Sequence, residues 1–299
     1  MKKILIAVII FMIAGISSYA IDDIIKEAEM LFEKQDFIKG MSVVKSALSS
    51  SLSKADQAEL YWWMAKFQLY IGDDREDEGA DKDELLEIYM QGQEWADKAV
   101  QLSPSADAYY WRLSNLGREG EVKGVLNSLA KAKPMKEDLL TVISYDKNYP
   151  DAYYVLSRLY YLLPGWPLSF GNKTVAVSFA RRAIELWNEP ELKISYYKSL
   201  AEMLWDRNWK ADKRKKQFGK MEKDYNKAED EFERMSVYEH ILGTGFSPVY
   251  TNKTLGQMSD REEAEIIASW LEAEFRKITP RRLDNQNMKE FREMVADWD

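Results

Sequence analysis

"DAYYVLSRLYYLLPG", residues 151–165, sets four tyrosines among leucines and a valine, in a run too short and too polar to cross a membrane. Its aromatics and leucines recur at spacings of three and four, which places Tyr153, Leu156 and Tyr160 on one face of a helix. The same order returns in "ELYWWMAKFQLYIG", residues 59–72, and in "DAYYWRLSNLG", residues 107–117. In each, two aromatics are followed by a small residue and then by another aromatic or leucine one turn on. A helix with that face needs a neighbour, and repetition supplies one.

The simplest unit of the pattern lies upstream. Ile24, Ala28, Leu31 and Phe32 share one helical face, Gln35-Asp36-Phe37 makes a turn, and Gly40, Val44 and Ala47 follow on a second helix. Small residues at Ala28, Gly40 and Ala47 let two antiparallel helices approach closely while Leu31 and Val44 fill the space around them.

This arrangement resembles the tetratricopeptide repeat, whose unit carries an aromatic early in helix A, a small residue four later, a Gly-Asp turn, and small residues in helix B before a proline. A second unit keeps Tyr61, Ala65 and Gly72-Asp73, then Gly92, Ala96, Ala99, Leu102 and Pro104, with extra residues between its halves. A fourth keeps Tyr153, Ser157, Tyr160 and Tyr161, then Gly171-Asn172, Ala176, Ala180, Ala183 and Leu186, with "PGWPLSF" inserted before the turn. The third, from Asp107, is interrupted by "GREGEVKGVLNSLAKAKP", which reads as an additional helix, and a fifth begins at "SYYKSLAEMLW". The resemblance covers residues 22 to 205 and implies an all-α fold, an irregular TPR-like helical-hairpin solenoid.

Past residue 205 the pattern changes. "KADKRKKQFGKMEKDYNKAEDEFERMSVYEHIL" reads as one long charged helix, "GTGFSPVYTNKTLGQ" as a loop, and Ser259 with Glu262 as the capping box of a last major helix. We assign residues 21–205 to the repeats and 206–299 to a helical capping region, since an open terminal repeat would leave an apolar face in water.

The chain opens with Lys2 and Lys3, an apolar run from Ile4 to Ile16, and small residues before Ala20, the layout of a cleaved secretory signal peptide over residues 1–20; the competing reading, a retained membrane anchor, needs a longer apolar run. This predicts a periplasmic or secreted protein that meets a membrane only during export. The formal net charge is -8, and without Lys2 and Lys3 it becomes about -10, which argues against nucleic acid as a partner. There are no cysteines, so disulfides, thiolate metal sites and a cysteine nucleophile are excluded.

Catalytic and metal chemistry find little support. Eight of the twelve residues of "DDREDEGADKDE", 73–84, are acidic, yet an EF-hand frame begun at Asp74 meets Leu85 where a bidentate glutamate belongs, so a solvated interhelix loop is the expectation. His240 is the single histidine, which rules out a histidine metal cluster. No Gly-x-Ser-x-Gly elbow occurs, and "GTGFSP" reaches Pro248 where a phosphate-binding loop needs glycine. No enzyme activity, metal or cofactor is expected. The run "KADKRKKQFGK", with six basic residues in eleven, reads as an exposed face or as a docking patch.

The tetratricopeptide resemblance implies that helix A residues beside the packing positions line a concave surface. It places Trp62, Lys66 and Leu69 there in the second unit, Tyr110 in the third, and Tyr154, Arg158 and Tyr161 in the fourth. Aromatics alternating with a cation suit an extended chain or a carboxylate; the alternative is that these aromatics only touch the next repeat. The segment "YYLLPGWPLSFGNKTVAVSFARRAIEL" further resembles the T component associated with TRAP transporters, which implies an exported partner of the transporter's substrate-binding subunit. It also resembles the eukaryotic regulators of microtubule dynamics, a likeness of fold. The expected function is a non-catalytic scaffold for a protein partner such as a periplasmic solute-binding protein. The alternative is a carrier whose aromatics line a pore for a small hydrophobic or carboxylate ligand; either form is compatible with an oligomer.

Overall fold

The structure, a computed structural model, describes residues 21–49, 51–243 and 247–298, without the side chains of 125–128, 242 and 243. The expected signal peptide, residues 1–20, and the centre of "GTGFSP" lie outside the described residues. Every regular element among the described residues is helical, and no described helix is long and apolar enough to cross a membrane. The fold is an all-α helical-hairpin solenoid, divided into two compact units between Asp146 and Lys147. The change of sequence pattern at residue 206 falls inside the second of these units.

The first unit stacks three hairpins: α1 (21–33) with α2 (Phe37–Ala47), α3 (Lys54–Asp77) with α4 (Lys82–Leu102), and α5 (Ala106–Lys123) with α6 (Val125–Tyr145). Polar side chains start the helices where the sequence offers them. Asp36, Ser53, Asp81 and Ser105 each accept a hydrogen bond from a backbone N–H of the first turn. Small residues then set the spacing between helices. A Cβ on Gly40 would come within 2.3 Å of the Phe67 ring, so α2 rests directly on α3. Ala58, Ala99 and Ala108 meet in one cluster, which brings α3, α4 and α5 together at one end.

Three expectations change here. Gly72-Asp73 is no turn: both lie within α3, where Gly72 admits the Tyr89 ring that would crowd a Cβ at 2.5 Å. The acidic stretch 73–84 is mostly helix, the last turn of α3 and the first of α4, because Arg75 pairs with Glu78 and Glu84 and Arg118 with Asp73 and Glu76. "GREGEVKGVLNSLAKAKP" forms no additional helix. It prolongs α5 and opens α6, and the two are joined at Gly124, whose φ of 99° suits glycine. Helix α6 runs through Pro134 because buried Ala132 and Leu139 on either side hold it in place.

In the second unit α7 (Pro150–Leu162) pairs with α8 (Lys173–Leu186), which Asn172 caps. Tyr153, Leu156 and Tyr160 are buried, as their spacing predicts, with Phe179 of α8 against Tyr153 and Tyr160. Helix α9 (Ile194–Arg207) packs on α8, on α13 (Asp260–Phe275) and on α14 (Arg282–Ala296). The expected long helix after residue 209 is broken into α10 (Ala211–Tyr225), α11 (Glu231–Ser236) and α12 (Glu239–Gly243). Asp230 caps α11, and the break lets Glu239 turn into the interior. Ser259 and Glu262 form the expected capping box of α13.

Candidate functional site

In the first unit Trp62, Lys66 and Tyr110 are linked through two buried indoles. Trp62 stacks on Trp63 at 4.9 Å between centroids, and Tyr110 meets Trp111 edge-on at 4.9 Å. The Lys66 ammonium stands 3.8 Å from the Phe32 centroid, 4.3 Å from Trp63 and 5.4 Å from Trp111. Its charge is therefore held by the chain's own rings. Leu69 turns the other way and is buried against Leu85 and Tyr89, and Tyr110 is buried as well. Both of these residues are packing positions: α3 is met by α2, α4 and α5, and α5 by α3, α4 and α6, so more than one face of each helix is covered and periodicity does not single one out.

In the second unit Tyr154, Arg158 and Tyr161 share one face of α7, which α9 meets. Tyr154 stacks on Tyr196 at 4.8 Å and accepts a 3.4 Å hydrogen bond from Ser199. Arg158 pairs with Glu202 at 2.5 Å, and the Tyr161 hydroxyl donates to Asp206 at 2.7 Å. Burial, then that hydrogen bond to a carboxylate, pushes the Tyr161 phenol up. The cation and hydroxyl expected to face a ligand are thus engaged within the unit.

What the unit leaves outside is the insertion between α7 and α8. Trp166 is 90% exposed and Leu168 82%, with Leu162 at the end of α7 64%, yet the loop is braced. Leu168 N–H donates to Gly165 O at 3.1 Å, Gly171 N–H to Pro164 O at 3.0 Å and Asn172 N–H to Tyr160 O at 2.7 Å. Gly171 passes so close to the Leu163 carbonyl that a Cβ there would sit 1.8 Å from its oxygen. Below, Phe170 lies edge-on to Tyr160 at 5.0 Å. The composition of "PGWPLSF" signals a loop, but a loop rich in apolar residues reads equally well as buried, so its exposure was not visible in the sequence.

Beneath α8, α9 and α13 is a cluster that the sequence reading missed altogether. Arg181, Arg207 and Arg214 meet Glu239, Asp260 and Glu263, all of them buried, so three positive charges balance three negative ones away from water. Arg207 grips Asp260 with hydrogen bonds of 2.8 and 2.9 Å, and Arg214 reaches Glu263 at 2.6 Å. The Tyr250 hydroxyl donates to Glu263 at 2.6 Å. Trp209 and Asp260 exchange hydrogen bonds of 2.9 and 2.8 Å, tying the end of α9 to the start of α13. Arg214 belongs to the lysine-rich run expected to be an exposed face or a docking patch; Lys213 and Lys215 on either side of it are exposed, while Arg214 is buried. With every charge matched internally, the cluster is built to hold elements together.

Comparison with known families bears on the repeats. Residues 24–169 match the family model Regulator of microtubule dynamics protein 1-3. The matched span runs from α1 through α7 into the exposed loop, and the ionic cluster falls outside it. The chain is therefore similar to that helical family over its first unit and the helix that follows. No curated protein matches the chain.

Proposed function

We propose that this protein is a non-catalytic exported scaffold that captures a protein partner on the loop 163–172. The observation that carries this reading is Trp166 at 90% exposure on a loop held by its own backbone hydrogen bonds. Tryptophan is a recurrent anchor of interfaces, and a loop already rigid in its free state loses little entropy on docking. The leader pattern of residues 1–20 supports an exported location, and the most specific partner is the substrate-binding subunit of a TRAP transporter. The matched family is named for regulation of microtubule dynamics; what the two share in this reading is a helical-hairpin scaffold.

The test is crosslinked capture by tagged full-length protein in its own host, compared with Trp166→Ala and Leu168→Ser. Selective loss of one protein at unchanged melting temperature supports the scaffold, and a solute-binding protein in that position supports its specific form. Equal capture by all three chains overturns the loop assignment. Lipid or organic acid co-purifying with the native chain, with no protein captured, makes it a carrier instead.

A further inference from the structure

One surface recess of the second unit is chemically distinct from its surroundings. Helix α13 lines it with Glu265, Ile266, Ser269 and Trp270, and Tyr250 faces them from the preceding loop, around a shallow, solvent-open space of about 430 Å³. The Tyr250 and Trp270 rings are 6.0 Å apart and inclined at 58°, and Tyr197 backs Trp270 at 4.7 Å. The Tyr250 hydroxyl is committed to Glu263 and Arg181 within the buried cluster, which fixes the ring at the wall of the recess. Glu265 is exposed, and among the described residues its carboxylate has no ion-pair or hydrogen-bond partner.

Several aromatic rings elsewhere in this unit are supplied with cations by the chain itself. Lys193 covers Trp187, Arg261 covers Trp205 and Arg207 covers Trp209, each within 4.3 Å. Among the described residues no lysine or arginine stands over Tyr197, Tyr250 or Trp270. The nearby Lys253 is engaged by Glu262 at 2.5 Å, so it does not neutralise Glu265.

We infer that this recess binds an organic ammonium group, its alkyl carbons against Tyr250, Ile266 and Trp270 and its charge facing Glu265. Ring quadrupoles and a carboxylate both favour a cation, and ring faces favour one that is alkylated and weakly hydrated over a metal ion. Two sources share that chemistry: a small free quaternary ammonium compound and a lysine side chain of another protein. The site uses none of the residues 163–172 and stands independently of partner capture there.

The experiment titrates the full-length protein with tetramethylammonium chloride, following the indole ¹H–¹⁵N signal assigned to Trp270, with sodium chloride at equal ionic strength as reference. The expected result is a saturable shift in the millimolar range, as an exposed cation–π site allows. Glu265→Gln is expected to weaken it by about threefold or more, as removal of a single exposed charge does. Glu265 is exposed, so that variant keeps the fold, and an unchanged spectrum of the remaining tryptophans checks this. A parallel titration with N-acetyl-lysine methylamide separates the sources: tighter binding than tetramethylammonium assigns the site to a protein lysine, weaker binding to a free quaternary ammonium. A shift equal to that of sodium chloride, or one unaffected by Glu265→Gln, overturns the inference.

Discussion

Glu263 on α13 receives Arg181 on α8 through two parallel hydrogen bonds of 2.8 Å each, with neither side chain in contact with water. Eighty-two residues of chain separate them. Loss of one partner leaves the other charged in a medium that solvates it poorly, at a cost of ~3–5 kcal/mol. Glu263→Gln is therefore expected to lower unfolding free energy by that amount in urea titration, whereas Glu265→Gln, two residues along the helix and exposed, stays within about 0.5 kcal/mol. Joint replacement of Arg181 and Glu263 by apolar residues should cost less than the sum of the two single changes.

The same cluster sets an acid limit. Burial pushes the Glu239 carboxyl up, but Arg207 and Arg181 outweigh it and hold the group below the ordinary 4.5; Glu263 is lowered in the same way by Arg181 and Arg214. Folded values below unfolded ones mean that this stabilisation is complete above about pH 4.5 and is lost as pH falls further. Urea midpoints measured from pH 7 to pH 3 should be flat with respect to these groups down to about pH 5 and then drop. Glu263→Gln should show a shallower drop.

Glycines separate close packing from mere presence in a helix. Gly40→Ala drives a methyl into the Phe67 ring and Gly92→Ala displaces buried Asn115, which donates to Ala65 O at 3.1 Å and Trp111 O at 2.8 Å. Each should cost ~1–3 kcal/mol by thermal or urea unfolding. Gly219→Ala in α10 meets nothing within 4 Å and should instead stabilise by ~0.5–1 kcal/mol, since alanine loses less entropy in a helix.

Arg158 distinguishes packing from binding. Arg158→Glu sets two carboxylates together at a half-buried pair and should cost roughly 1–2 kcal/mol, recovered when Glu202→Arg restores opposite charges. A melting curve that recovers in the double variant together with partner capture makes the pair structural. Recovery of stability without capture makes Arg158 itself a contact.

Braced exposure at residues 163–172 gives a further check. Gly171→Ala leaves Trp166 and Leu168 unchanged in chemistry but forces the backbone away from the Leu163 carbonyl. Capture is expected to fall at least threefold, because the anchor residues then have to be ordered on binding. Capture equal to the parent chain would show that loop rigidity contributes nothing.

Local pattern carried the reading far where each residue's role depends on its near neighbours. Helix periodicity, the capping box at Ser259 with Glu262, and the small residues at Ala28 and Gly40 act between near neighbours, and their meaning survives in one dimension. The reading failed where a local signal has two physical outcomes. Gly72 marks either the end of a helix or a notch in its middle, and the choice was made by Tyr89, seventeen residues later. Leu69 and Tyr110 looked like surface positions by analogy between repeats, but each helix is surrounded differently, and those two face inward.

The charges show the limit most sharply. The repeated helical periodicity and the tetratricopeptide resemblance it carries implied an all-α chain of helical hairpins, and composition gave its acidic surplus, because burial of one helix face is a periodic demand that neighbouring residues satisfy. Nothing periodic distinguishes Arg214 from Lys213 and Lys215, or Glu263 from Glu262 and Glu265. A guanidinium leaves water only where carboxylates from other elements already converge, and that convergence exists only after α8, α9, α10, α12 and α13 have packed.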